Sequence, residues 1–367
     1  MRLYAPDMDE FLGWMDSQGI RYVVLRNAPA FLQGWPVLGG KDDVDMLVDD
    51  GALERIGARY GRYSKMQGVK CDLYDRSGSA RGAYQGLAYY PPALADLLLD
   101  NRERLEGRFW IPQPKAYLLG LIFHIAYHKA ERSKIDRLDP AASEGSKYVA
   151  ELRDLMARAG EAFPLTLTAF HERLKAEAMA VPYRQLAAIL INDFQRHVKS
   201  RFLAEVANEP AGEMNLFVIR RVASARGQAK MLLDAIAGEY EILVDKAIPW
   251  LTRLKTNRKI RGGKWARGGP PVHAVIVFDR NPITATGDEA RPHPFVFNGR
   301  QFMKKGLRDR FSKLTGLHTR HNPLHSTDNE AEALGHLNLY FTPEEREALY
   351  QRLETIRAEM ARAESPA

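Results

Sequence analysis

The segment GGKDDVDMLVDD places Asp43 and Asp45 two residues apart, with the apolar Val44, Met46 and Leu47 around them. On a strand, alternate side chains leave the same face, so both carboxylates point one way. Two carboxylates on one face repel, and a divalent cation relieves that repulsion. Magnesium suits such a pair, because it keeps several waters and takes a few carboxylates together with substrate phosphates. Asp72, in VKCDLYD, is a third acid on the next strand-like segment. It is placed to join the same metal or to accept a proton from an attacking hydroxyl. The alternative is an acidic strand end facing water. A second candidate is His325 in NPLHSTDNEAEA, three residues after Asn322 and just before Ser326, Thr327 and Asp328. A neutral imidazole is a nucleophile near neutral pH, and a phosphoryl group at a helix N-terminus meets free N–H groups. The alternative is an incidental histidine beside a helix capped by Ser326, Thr327 or Asp328.

The elements that must hold these residues fall into three stretches. From Met1 to about Asn101, helix and strand signals alternate: MDEFLGWMDSQG reads as a helix closed by Gly19, and IRYVVLRN, VDMLVDD and VKCDLYD read as strands. From about Arg102 to Asn208 the pattern is mostly helical, in PKAYLLGLIFHIAYHKA, KYVAELRDLMARAG and YRQLAAILINDFQRHVKSRFLAEVA. His124 and His128 lie four apart in the first of these, a metal-compatible spacing. With no carboxylate between them on an apolar helix, they read as packed or hydrogen-bonded histidines. NEPAGEM breaks the pattern. Beyond it, strands LFVIRRV, YEILVDKAI and VHAVIVFD alternate with helices GQAKMLLDAIAG and Lys304 to Leu314.

The chain has 367 residues, 45% of them hydrophobic, enough for two or three domains with real cores. No apolar run reaches membrane-span length, and the N-terminus lacks a cationic apolar signal pattern. Cys71 is the single cysteine, which excludes an intramolecular disulfide and a cysteine zinc site. A cytoplasmic location is the expectation. The net charge is +7, and RLKTNRKIRGGKWARGG, Arg253 to Gly269, carries seven cations and no acid. That segment allows a phosphate or nucleic-acid contact, with a solvated basic loop as the alternative.

The order helix, GIRYVVLRN, loop, KDDVDMLV, VKCDLYD resembles the nucleotidyltransferase superfamily with a polymerase-beta-like fold. It is most similar to an uncharacterised bacterial branch often associated with surface-polysaccharide genes. The resemblance implies that Asp43 and Asp45 hold magnesium on a nucleoside triphosphate and that Asp72 assists the acceptor. LRNAP stands where the superfamily has a Gly-Ser phosphate turn, so Arg26 and Asn27 would contact phosphate instead.

The stretch N-PL-H-S-T-D-N-E-A-E-A, followed by LYFTPEE, resembles the active-site segment of nucleoside diphosphate kinases. The resemblance extends upstream through LFVIRRVASARGQAKMLLDAIAGEYEILVDKAI, GGPPVHAVIVFD and GLRDRF. It implies that His325 is a phosphorylated nucleophile, that Asn322 contacts the ribose and that Thr327 supports the imidazole. Arg220, where the family has a lysine, and Arg308 would hold phosphates. The family's orienting glutamate falls on His336 here.

The combined expectation is an α/β (α+β) chain. Residues 1–101 form a nucleotidyltransferase-like domain with a mixed sheet, 102–208 a helical segment packing on it, 213–350 a ferredoxin-like, nucleoside-diphosphate-kinase-like domain, and 351–367 a tail. Its expected function is magnesium-dependent nucleotidyl transfer joined to phosphoryl transfer through a phosphohistidine. A nucleoside triphosphate would serve as donor and a small molecule or protein as acceptor. Nucleic acid is the weaker partner reading, and a homo-oligomer through the C-terminal domain is compatible with it. The alternative is a nucleotide-binding regulatory protein in which one or both domains are silent.

Overall fold

The computed structural model describes all residues except 37–42, 80, 85, 250–251, 253–266, 319 and 365–367. The chain divides into two compact units, Met1–Ile189 and Leu190–Ala367. Each has its own sheet and helices, an α+β architecture.

Unit 1 is built on a four-stranded mixed sheet, β1 (Arg2–Ala5), β2 (Tyr22–Val24), β3 (Val44–Val48) and β4 (Val69–Asp75), in the order β1-β4-β3-β2. β3 and β4 run parallel, while β1 and β2 are antiparallel to their neighbours. The helix Met8–Ser17 starts where Asp7 accepts from the Glu10 N–H at 2.9 Å, and it gives way to Gly19 at φ +63°, where a side chain would be strained. LRNAP becomes a left-handed turn at Asn27 (φ 56°), leading into the short helix Ala28–Phe31. Asparagine is among the few non-glycine residues that accept that conformation readily. A hairpin, β5 (Arg102–Leu105) and β6 (Phe109–Pro112), precedes the helices. The helix Pro114–Phe123 is almost wholly buried and passes into a π-helix, His124–Lys129. The helical pattern from Tyr183 onward forms three helices, Tyr183–Asn192, Phe194–His197 and Arg201–Ala207, the last two within unit 2.

Unit 2 carries β7 (Glu213–Arg220), β8 (Glu241–Ala247), β9 (Pro271–Asp279) and β10 (Leu324–Ser326) in the antiparallel order β10-β7-β9-β8. With the helices Ala229–Ala237 and Met303–Thr315 between strands, this is the ferredoxin-like β-α-β-β-α-β arrangement. β7 is buried along its whole length. Phe217 and Ile219 join Leu232, Ile236, Leu307 and Phe311 in the core beneath the two helices. The final helix runs Pro343–Glu364 without a break at residue 350, and its Arg357 grips the fully buried Glu330 at 2.7 Å. Among the described residues, no helix is long and apolar enough to cross a membrane.

Glu213, at the start of β7, is fully buried. Burial, with the charge of Glu330 beside it, pushes its carboxyl up to about 8 against the opposing amides of Asn215, Asn208 and Asn298. A raised acid stabilises the fold fully below its ordinary value, and that contribution is lost as pH climbs through about 8. Glu213→Gln is therefore expected to leave the melting temperature nearly unchanged at about pH 5 and to raise it by several degrees at about pH 9. Equal effects at both pH values would contradict a protonated Glu213.

Candidate functional site

In unit 2, β10 sets His325 opposite Val218 of β7, so the imidazole shares a sheet face with the even-numbered β7 residues, Arg220 included. The β7–β9 register shifts between Ile219 and Arg220, and the Arg220 N–H donates to the Pro323 carbonyl at 2.8 Å. These contacts bring a nearly buried guanidinium to the histidine strand. Arg308, from Met303–Thr315, donates through Nη2 to the Leu324 carbonyl at 3.2 Å, and its Nε is covered and unpartnered. Lys304, one turn earlier, pairs with Asp328 at 3.0 Å. Burial, then the charges of His336, Lys304, Arg220 and Arg308, hold the His325 imidazole well below its ordinary pKa. It is therefore neutral at neutral pH. Its Nε2 is covered and has no hydrogen-bond partner, so Nδ1 is the nitrogen left open.

The supporting residues are placed as follows. Asn322 accepts the Leu324 N–H on Oδ1 at 3.2 Å, and its own N–H donates to the Arg267 carbonyl. Thr327 gives its hydroxyl to Asn215 Oδ1 and accepts from the Leu216 N–H, both at 3.0 Å. Its polar contacts thus go to β7 and not to the imidazole. The helix Glu330–Tyr340 is capped by Asn329, which accepts the Glu332 N–H, while Glu332 reaches back to the Asp328 N–H. The expected cap at Ser326, Thr327 or Asp328 moves on by at least one residue, because β10 takes Ser326 and β7 takes Thr327. His336 is buried against the Phe194 ring at 4.4 Å, beside a cavity of about 200 Å³.

Gly268 is a residue the sequence reasoning missed. A Cβ there would stand 2.0 Å from the Asn322 carbonyl oxygen and 2.9 Å from Arg220 Cδ, so only glycine allows this approach. The paired glycines of ARGGPP were the available signal. Of the basic segment, Arg258, Lys259, Arg261 and Lys264 lie outside the described residues.

In unit 1, the parallel register puts Asp45 of β3 beside Asp72 of β4, with Asp43 just ahead of β3. Each acid meets a cation. Asp72 takes two bonds from Arg2 at 2.7 and 2.8 Å. Lys70 Nζ lies 2.6 Å from Asp43 and 3.7 Å from Asp72. Asp45 pairs with Arg26, both nearly buried. Burial raises the Asp45 carboxyl, against Arg26. Burial would also raise Asp72, but Arg2 and Lys70 outweigh it and the net shift is downward. The ligand oxygens of the three acids do not all lie within 4.8 Å of one another. Behind Arg26, its Nη1 donates to the Tyr89 hydroxyl at 3.1 Å, which meets His124 Nδ1 at 2.5 Å. His128 Nε2 lies 3.2 Å from the Tyr89 carbonyl. Both histidines are thus hydrogen-bonded core residues. Asn27 is exposed.

No protein-family model matches the chain, and no curated protein does. Among solved structures, the nucleoside diphosphate kinase of Aquifex aeolicus, in an orthorhombic crystal form, is similar to 37% of this chain and 99% of its own. The sequence identity is 17% and the TM-score is 0.23.

Proposed function

We propose that unit 2 is a phosphotransferase whose nucleophile is His325 Nδ1. The observation that carries this reading is a neutral imidazole, open at Nδ1, whose environment includes Arg220, Arg308 and Lys304. The Nδ1 lone pair attacks the terminal phosphorus of a nucleoside triphosphate. The bond to the bridging oxygen breaks, and its electron pair leaves with the nucleoside diphosphate. The phosphoryl group then passes to a second nucleophile, which restores the imidazole. The cations offset charge that moves between leaving and entering oxygens, and positioning supplies most of the rate. The test is incubation with a triphosphate labelled at the γ or the α position. Label from γ alone, stable to alkali and lost in mild acid, supports a phosphohistidine. Acid-stable label, or none, defeats it and leaves a nucleotide-holding domain without turnover.

For unit 1, we propose nucleotidyl transfer with magnesium held by Asp43 and Asp72. The Lys70 ammonium already bridges these two carboxylates, so the pair is suited to one positive centre. Asp45, committed to Arg26, acts by fixing that guanidinium. Bound magnesium would neutralise triphosphate oxygens and make an attacking hydroxyl easier to deprotonate. Lys70→Ala is expected to tighten Mn²⁺ binding, read by electron paramagnetic resonance, about tenfold, since the competing cation is gone. Adding Asp43→Asn should abolish that gain. If Lys70→Ala binds Mn²⁺ no better than the parent, the acids form a salt-bridge network only.

A further inference from the structure

The π-helix ends at Lys129, and the next residue takes a backbone conformation that is nearly confined to glycine: Ala130 has φ 49° and ψ −137°. Four residues on, Lys134 is left-handed at φ 62°. The chain thereby wraps back on itself between Lys129 and Lys134. A second wall, Gly145 to Tyr148, is pinned to the first where the Ser146 hydroxyl donates to the Ser133 carbonyl at 2.6 Å. The Ser133 hydroxyl in turn donates to the Ala130 carbonyl at 2.6 Å. Between these walls is a cavity of about 340 Å³ lined by Lys129, Arg132, Lys134 and Lys147, with no acidic residue in the lining.

A basic surface normally has carboxylates interspersed, and the lining of this pocket holds none. Lys129, Lys134 and Lys147 form no ion pair among the described residues, although Lys147 lies over the Tyr148 ring at 5.0 Å. Lys129 is part-buried, and burial together with Arg26 and Arg132 lowers its ammonium pKa, so the charge is held at a cost. A bound anion would remove that cost. π-helical turns and strained non-glycine residues gather at functional sites because packing must over-determine them.

We propose that this pocket binds an oligophosphate, with Lys129 and Lys147 gripping it from opposite walls. A lining of four cations and no acidic residue, in which Lys129, Lys134 and Lys147 form no ion pair among the described residues, matches the several charges of two or three linked phosphates better than the charge of one. The inference uses neither His325 nor Asp43 and Asp72, though Lys129 lies close enough to Arg26 and Asp45 of the unit 1 site to feel their charges.

The test is lysine footprinting of the full chain with an amine-acylating reagent, read by mass spectrometry. Inorganic tripolyphosphate, in the presence of a chelator, is the probe, and sodium chloride of equal ionic strength is the control. At a tripolyphosphate concentration that fills about nine-tenths of the sites, Lys129 and Lys147 should react about tenfold more slowly. Pyrophosphate should need a higher concentration and orthophosphate a higher one still. Exposed Lys65 of the same unit should be unaffected. Lys147→Met, an exposed change that spares the core, should weaken the protection of Lys129 about tenfold. Protection reproduced by sodium chloride, or spread equally to Lys65, would overturn the proposal. So would an absence of protection at millimolar tripolyphosphate.

Discussion

His325→Ala is expected to lose the acid-labile phosphate taken from a γ-labelled triphosphate, a fall of about a thousandfold or more. The complementary change is more informative. For Nδ1 to attack, its lone pair must be free, so the ring proton must sit on Nε2. That nitrogen is covered and meets no acceptor. An unsatisfied buried donor costs roughly 1–3 kcal/mol, so the competent tautomer is the disfavoured one. His336 is buried and close enough to depress the His325 pKa electrostatically. His336→Glu would offer a carboxylate to Nε2–H and should speed phosphorylation by roughly tenfold to a hundredfold. It should do nothing in the His325→Ala background. Thr327→Ser is expected to be nearly silent, because the serine hydroxyl keeps the bonds to Asn215 and Leu216. A His336→Glu protein that labels no faster, with its fold intact, would mean the ring is oriented by something else.

Arg26→Met is expected to cost unit 1 about 3–5 kcal/mol, because it strands the buried Asp45 carboxylate. At this size that lowers the melting temperature by roughly 10 °C. Asp45→Asn should also be costly, since an arginine cannot shed its proton to escape burial. The double variant Arg26→Met, Asp45→Asn should recover a large part of the loss. Read as a bare strand motif, Asp45 promised to be a replaceable metal ligand. The ion pair makes it part of the core, and assays of Asp45 variants need a folding control. If Arg26→Met melts like the parent, the pair is not closed in solution and Asp45 is free for other ligands.

How much of this was legible in the sequence depends on the element. β3, β4, β7 and β9 announce themselves by apolar runs or by period-two alternation, and the structure has strands there. β1 leaves little pattern in the sequence, being four residues ahead of a strong helix; yet it carries Arg2 to Asp72. The place of Lys70 is legible in the sequence. It stands two residues before Asp72 on an alternating strand, so the two share a face. The π-turn at His124–Lys129 is invisible to periodicity, since an all-apolar helix looks the same at either pitch. The helix boundary at Asp193 is equally masked by continuous apolar spacing. At the unit 2 site, His325, Arg220 and Arg308 could be named from order and spacing. The packing of Gly268 beneath Asn322, and the commitment of Thr327 to β7, depend on contacts across more than fifty and more than a hundred residues.

β10 is three residues long, lies at the edge of its sheet and is bonded on one side only. Freeing it breaks a handful of backbone bonds, whereas freeing β9 breaks ladders on both flanks. Local opening at such an edge costs far less than global unfolding. The histidine strand can therefore breathe while the rest of the sheet stays closed. An imidazole that must turn, change tautomer or accept a bulky dianion does so on a short margin that Leu324, of its three residues, anchors in the hydrophobic core.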